Sequence, residues 1–193
     1  MRKIFSLAFL ALAIFLAFLL YRSIEEPITF ADERVVRDEA VANQLKVIRT
    51  TQEMYRDITG EFAPNFDTLK QVLREGRFVE VRIVGDPDDP NFDPTTAYDT
   101  TYSAAIDSVR AMNIDLDRLE YVPYTDDKKF EIAADMIDYQ STQVPVVQVG
   151  IPRKEYMDRF ADERFKRYDM RYDPNQPIKF GDLSKPSLAG NWE

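Results

Sequence analysis

The sequence predicts an α+β protein with an N-terminal transmembrane helix and a long amphipathic helix packed on a small antiparallel β-meander. An uncharged apolar run opens the chain at residues 4–21. Apolar residues then recur at helical spacing over residues 31–59, and two-residue alternation dominates residues 119–151. A period near 3.6 indicates a helix with one buried face, whereas a period of two indicates half-buried strands.

The apolar run from Ile4 to Tyr21 contains no charged residue. A helix of this length is roughly 27 Å long, close to the ~30 Å hydrocarbon core of a bilayer. Arg2 and Lys3 precede the run, and the positive-inside rule then places the N-terminus in the cytoplasm. We therefore predict a cytoplasmic stub with a transmembrane signal anchor in residues 1–21, and the rest of the chain beyond the membrane.

A cleaved signal peptide is the alternative, because N-terminal positive charges followed by an apolar segment fit one. Residues 17–22 lack the small-x-small pattern at which a signal peptidase cleaves. The run is also longer than a usual signal-peptide core, and the absence of Cys excludes lipoprotein processing. An uncleaved anchor is therefore favoured.

Residues 22–30 are predicted as a juxtamembrane linker, because Pro27 disfavours helix at Glu26. The following helix ends at Gly60 and opens an α+β domain that covers residues 31–193. We expect most of its apolar stripe in the core of the domain, and the membrane-proximal part as a stalk on a partner helix. The apolar positions of this stripe are Val35, Val41, Leu45, Ile48, Tyr55 and Ile58.

Shorter elements follow in order. Asn65 or Asp67 caps a short helix that Gly76 ends. The remaining predictions are a strand at 78–84, a short helix at 102–112, strands at 119–124, 129–137 and 144–151, a surface helix at 154–168, and an irregular tail at 171–193 with Trp192 packed on the domain.

The composition limits the classes of function. The formal charge of −9 argues against a nucleic-acid partner. The chain has no His and no Cys, which excludes Ser-His and Cys-His catalysis and argues against a zinc site. We therefore expect a protein that is not an enzyme.

An acidic, proline-bearing loop is the one candidate metal site. Asp86, Asp88 and Asp93 supply hard oxygen ligands at a spacing that Ca²⁺ tolerates. Pro90 interrupts the spacing of an EF-hand loop. A solvated loop without metal is the favoured alternative.

The order of elements resembles that of type IV pilins and type II secretion pseudopilins. The local sequence is similar too, at residues 48–55 (IRTTQEMY), 60–62 (GEF) and 66–69 (FDTL). The resemblance implies a pilin-like domain in a secretion or pilus machine, and it favours Ca²⁺ because some pseudopilins bind calcium in a late loop. Pilin precursors carry a Gly before the apolar run and a Glu shortly after its start, and Met1-Arg2-Lys3-Ile4-Phe5-Ser6 has neither. Processing and filament formation are therefore not implied.

The chain also resembles a family of uncharacterised single-pass envelope proteins of Gram-negative bacteria. The similar residues are 26–28 (EPI), the stretch 48–69, 119–124 (LEYVPY) and 190–193 (GNWE). This resemblance implies an inner-membrane protein with its main domain in the periplasm, and it implies no activity.

These observations predict a membrane-anchored structural or assembly subunit of a bacterial envelope machine. Its partners would be membrane lipid and other inner-membrane or periplasmic subunits, with a homo-oligomer as one option. The predicted interface residues are Leu10, Ile14 and Phe18 in the membrane helix and Arg34 and Val35 in the stalk.

The alternative is a periplasmic binding module that captures a ligand or protein cargo beside the β-meander. Its groove would be lined by tyrosines, which strand packing also explains: Tyr98, Tyr102, Tyr121, Tyr124 and Tyr139.

Overall fold

The computed structural model describes residues 2–83 and 98–193 and has an α+β architecture. A long N-terminal helix carries a two-stranded antiparallel ribbon and a three-stranded antiparallel sheet. The helices are α1 (Arg2–Thr59), α2 (Phe66–Glu75) and α3 (Ala105–Ala111). The strands are β1 (Arg77–Ile83), β2 (Tyr98–Ala104), β3 (Glu131–Tyr139), β4 (Thr142–Pro152) and β5 (Pro177–Gly181).

Helix α1 is continuous from the apolar run into the domain and passes through Pro27. The structure thus differs from the linker expected at residues 22–30. Tertiary contacts explain the difference, because both flanks of Pro27 are held against the domain. Phe30 is 2% exposed and its ring stacks on Phe165 at 5.1 Å, while the Glu26 carboxylate accepts a hydrogen bond from Arg167. These contacts offset the backbone hydrogen bond that Pro27 cannot donate.

The core forms where the apolar faces of α1 and α2 meet the three-stranded sheet. Leu45 and Ile48 of α1 are fully buried, as is Leu69 of α2. The side chain of Asn65 caps α2 by accepting a hydrogen bond from the Thr68 N–H. Of the two caps that the sequence offered, Asn65 is therefore the one used, and Asp67 lies in the first turn of the helix. Val35 is 64% exposed and does not extend the buried stripe, because six residues at about 100° each turn it well away from Val41.

The sheet has the order β3-β4-β5, with all pairs antiparallel. Strands β3 and β4 confirm two of the predicted strands within two residues at each end. The predicted strand at 119–124 makes one isolated bridge, Tyr121 to Lys129, and two further backbone hydrogen bonds to residues 128–130. The tail contains β5, which the sequence did not indicate.

Two helix predictions need correction. Residues 102–104 belong to β2, where Tyr102 pairs with Val79, so α3 begins only at Ala105. The expected surface helix at 154–168 is a series of short 3₁₀ turns, Arg153–Glu155, Asp158–Phe160 and Glu163–Arg167. In these turns Tyr156, Phe160 and Phe165 point into the core, a spacing of four and five residues that a regular helix does not place on one face.

Candidate functional site: surfaces of the long helix and the domain base

The first part of α1 is long and apolar enough to cross a membrane, and none of its most apolar 18-residue window is buried. By length and composition this helix is either a membrane anchor or a signal sequence. The predicted interface residues Leu10, Ile14 and Phe18 are 61%, 64% and 56% exposed. They belong to no part of the described hydrophobic core, and only the end of the run, at Leu19, reaches a groove of the domain.

An exposed apolar stripe continues past the end of the apolar run. Ile24, Ile28 and Val35 are 62%, 57% and 64% exposed although they lie beyond the apolar run, among charged residues such as Arg22 and Glu25. Spacings that alternate between four and three residues are the heptad pattern of helices that pack side by side. We call the following residues the α1 stripe: Leu10, Ile14, Ala17, Tyr21, Ile24, Ile28, Ala31 and Val35.

The α1 stripe lies on the side of the helix opposite the buried Phe30, and its last two members, Ala31 and Val35, border an open groove whose other wall is formed by residues 168–170. Ile28 and Phe30 are roughly 160° apart on the helix at about 100° per residue, and only Phe30 is buried. Of the predicted interface residues, Leu10, Ile14 and Val35 therefore share one face. Phe18 lies roughly 80° from Leu10 around the helix axis, at the edge of that face.

Arg34, the remaining predicted interface residue, is engaged within the chain. Its guanidinium forms an ion pair with Asp169, lies 3.7 Å from the Asp38 carboxylate and covers the ring of Tyr172. These contacts clamp α1 to the segment that follows the 3₁₀ turns. Arg34 therefore positions the helix on the domain and does not share the face of Val35.

Four arginines gather where the domain meets the end of the apolar run. We call Arg22, Arg159, Arg164 and Arg167 the basal arginines. The Nη2 atoms of Arg164 and Arg167 lie 3.5 and 3.2 Å from the two carboxylate oxygens of Glu26. Two open grooves adjoin this cluster, with volumes of about 310 and 480 Å³, and both are lined by Arg22, Glu26 and Arg164.

A second concave region surrounds the loop at residues 121–128. Tyr124 has φ 63°, a left-handed conformation that is strained for a bulky side chain. Its ring is 54% exposed and is covered by the Arg37 guanidinium at 5.1 Å. Open grooves of about 670 and 630 Å³ lie on either side of this loop. Such strain at an exposed aromatic residue is a common mark of functional loops, and no sequence signal indicates it.

The predicted tyrosine groove is only partly assembled. Tyr121 and Tyr124 line one common groove. Tyr102 lies on β2 and Tyr139 on β3, in separate sheets, and both are exposed. The side chain of Tyr98 lies outside the described residues. The groove that exists is thus formed by the loop and α1 rather than by neighbouring strands.

A buried ionic cluster lies at the two ends of this loop, beside α2. The Glu120 carboxylate lies 3.1 Å from the Lys70 ammonium and 3.0 Å from that of Lys129, and its side chain is 9% exposed. Burial raises the pKa of Glu120, but hydrogen bonds from Lys129 and Lys70 outweigh it, so the pKa lies below the ordinary value. This cluster ties α2 to residues 120–129 and explains why the loop keeps its shape.

The acidic loop with Asp86, Asp88 and Asp93 lies outside the described residues, so the Ca²⁺ prediction stays a prediction. Within residues 2–83 and 98–193, no group of three acidic, His or Cys side chains is arranged to hold a metal ion. No protein-family model, curated protein or solved structure matches the chain. Inferences about function therefore depend on the surfaces described above.

Proposed function

We propose that this protein is a membrane-anchored structural or assembly subunit of a bacterial envelope machine, related to secretion or pili. The apolar start of α1 would anchor it in the inner membrane, with the N-terminus in the cytoplasm and a pilin-like domain in the periplasm. Its role would be to hold partner subunits and not to catalyse a reaction.

The observation that supports this proposal best is the α1 stripe beyond the apolar run. Val35 lies fourteen residues after Tyr21, which is about 21 Å along a helix and outside the headgroup layer. Lipid therefore does not cover it, and neither does the protein's own domain. Heptad spacing fits a partner helix that runs alongside α1 through the membrane and out of it.

Cysteine cross-linking in the native membrane tests the proposal directly, because the chain has no Cys of its own. We expect Ile28→Cys and Val35→Cys to cross-link to a partner subunit or a second copy. Lys154→Cys, which is exposed on a 3₁₀ turn, serves as the matched control and should stay monomeric. Equal cross-linking at all three positions, or no cross-linking at any of them, would contradict a partner on the stripe.

The strained Tyr124 loop favours a second function, a binding module that captures a periplasmic ligand or cargo. The two grooves beside it are large enough for a small molecule or a peptide segment. Under this hypothesis, native mass spectrometry of the purified full-length chain detects a bound molecule that Tyr124→Ala loses and Val35→Asp retains. Under the assembly hypothesis, Val35→Asp releases the partners and Tyr124→Ala keeps them.

A further inference from the structure

The basal arginines lie at the height of the lipid headgroups if α1 is a membrane anchor, so this inference rests on the proposed function. The apolar run ends at Tyr21, and Glu26 follows five residues later, about 7 Å along the helix. The headgroup layer of one leaflet is of similar thickness, roughly 5–7 Å. Arg22 and the arginines paired with Glu26 therefore lie within that layer.

The grooves beside these arginines are amphiphilic. One is lined by Leu19 of the apolar run together with Arg164, Arg167 and Tyr168. The last 3₁₀ turn, Glu163–Arg167, thus lies beside the last apolar turn of α1, where acyl chains would lie. The Leu19 side chain toward the apolar run and the guanidinium groups beyond it match the two ends of a phospholipid, and a tyrosine at the boundary is typical of membrane interfaces.

Guanidinium donors remain available for a phosphate group. Arg164 and Arg167 each lie near one oxygen of Glu26, and Arg167 also donates to the Tyr168 hydroxyl. A guanidinium has five N–H donors, so donors remain on both side chains. Arg22 and Arg159 form no ion pair with any described residue. Arginine binds phosphate with two parallel hydrogen bonds and is weakly hydrated, which favours this role. Four guanidiniums face Glu25 and Glu26, so this surface is positive in a chain of formal charge −9.

We propose that the basal arginines bind the headgroup phosphate of an anionic phospholipid in the leaflet that faces the domain. The bound lipid would fix the height and tilt of the domain above the membrane. A chain of this negative charge would otherwise be repelled by an anionic bilayer surface. The site would thereby orient the α1 stripe toward partner subunits in the same membrane.

Native mass spectrometry of the full-length chain in mild detergent tests the site. The probes are phosphatidylglycerol, phosphatidylcholine with the same acyl chains, and inorganic phosphate. We expect phosphatidylglycerol to bind at least about tenfold more tightly than phosphatidylcholine, since each basic residue near an anionic lipid surface contributes a factor of about five. Equal binding of the two lipids, or displacement of the lipid by millimolar inorganic phosphate, would overturn the proposal.

The matched variants carry equal changes of charge. The triple variant Arg159→Gln, Arg164→Gln, Arg167→Gln should lose the preference for phosphatidylglycerol. The control Arg74→Gln, Arg110→Gln, Lys185→Gln removes three exposed cations elsewhere and should keep it. If the triple variant unfolds, the single variant Arg159→Gln replaces it, because Arg159 forms no ion pair with Glu26. This variant should still weaken the preference for phosphatidylglycerol over phosphatidylcholine. An unchanged preference in that variant and an equal loss in the control would each count against the site.

The outcome for the lipid site is separable from the outcome for the proposed function. Val35→Asp should release partner subunits but bind phosphatidylglycerol as the unchanged chain does. A chain that stays with its partners yet shows no lipid preference overturns the lipid site alone. Release of the chain from the membrane by alkaline carbonate would overturn the proposed membrane anchor, and with it the lipid site.

Discussion

At the scale of single residues, two buried tyrosines join α1 to the residues that follow β4: the Tyr172 ring packs edge-on against Phe30 of α1, and the Tyr156 hydroxyl bonds to α1. The Tyr172 hydroxyl donates a 2.6 Å hydrogen bond to the Phe160 carbonyl, and the side chain is fully buried. The Tyr156 hydroxyl donates a hydrogen bond of the same length to the Asp38 carboxylate. Burial, followed by the charge of Asp38, raises the pKa of Tyr172 to about 12, and the same causes raise the pKa of Tyr156. Both phenols are therefore neutral donors in the folded protein.

The stability of the domain should fall as the pH rises above 10. The unfolded phenols ionise near 10.0, whereas folded Tyr172 keeps its proton until about 12, so the folded state binds more protons in this interval and stability decreases with pH. The loss from Tyr172 should be on the order of 2 kcal/mol between these pH values. Chemical unfolding of the detergent-solubilised chain, followed by far-UV circular dichroism, measures it.

The matched variants for this prediction are Tyr172→Phe and Tyr102→Phe. Tyr172→Phe should flatten the alkaline slope in part, because Tyr156 still contributes. Tyr102 is 65% exposed, so Tyr102→Phe should leave the slope as it is. A slope that is the same in both variants would contradict the role assigned to the buried phenol.

At the scale of elements, the largest difference from the sequence prediction is that α1 is one continuous helix, where a linker was expected at residues 22–30. Pro27 removes one N–H and leaves the Ser23 carbonyl without its helical donor. The helix nevertheless continues, since Glu26 and Phe30 are fixed by the domain on either side. This continuity places the apolar run and residues 22–35 on one helix, along which the α1 stripe is unbroken.

Pro27→Ala should make this stretch of α1 more stable. The variant supplies the missing N–H and removes a residue that costs up to ~3 kcal/mol in a helix interior. Amide hydrogen exchange should slow for residues 24–31, while exchange in β3–β5 stays unchanged. The control Pro177→Ala, at the start of β5, tests whether removal of any proline has the same effect. Faster exchange in residues 24–31 of Pro27→Ala would show that Pro27 is required there.

The elements with a local sequence pattern could be predicted from the sequence. The predictions were wrong where contacts between residues far apart in the chain determine the local structure. The helical spacing of α1, the Asn65 cap and the Gly60 stop with φ 84° are local signals. The passage through Pro27 depends on Arg164 and Arg167, which follow more than 130 residues later. Local propensity does not include such contacts. The basal arginines were missed for the same reason, because only the fold brings them to Arg22.

On the scale of the whole molecule, one continuous helix presents two chemically different surfaces. The α1 stripe is apolar and lies opposite the buried Phe30, whereas the base of the domain faces the end of the apolar run and is cationic. Under the two proposals, a partner helix on the stripe and a lipid headgroup at the base would not compete for the same residues. Both proposals require that α1 keep its first 21 residues in the mature protein.

We expect the mature chain to keep its N-terminal segment and to be recovered from the membrane fraction at 22.5 kDa. Residues 17–22 are helical and Leu19 lines a groove with Arg164, so cleavage there would have to unwind the helix beside that groove and find a small-x-small pattern that is absent. Intact-mass measurement of the membrane and soluble fractions checks this. Leu19→Ala supplies the missing small residue two positions after Ala17, and partial shortening of that variant alone would show that the peptidase has access. A shortened, soluble wild-type chain would identify the segment as a signal peptide and remove the membrane anchor on which both surfaces depend.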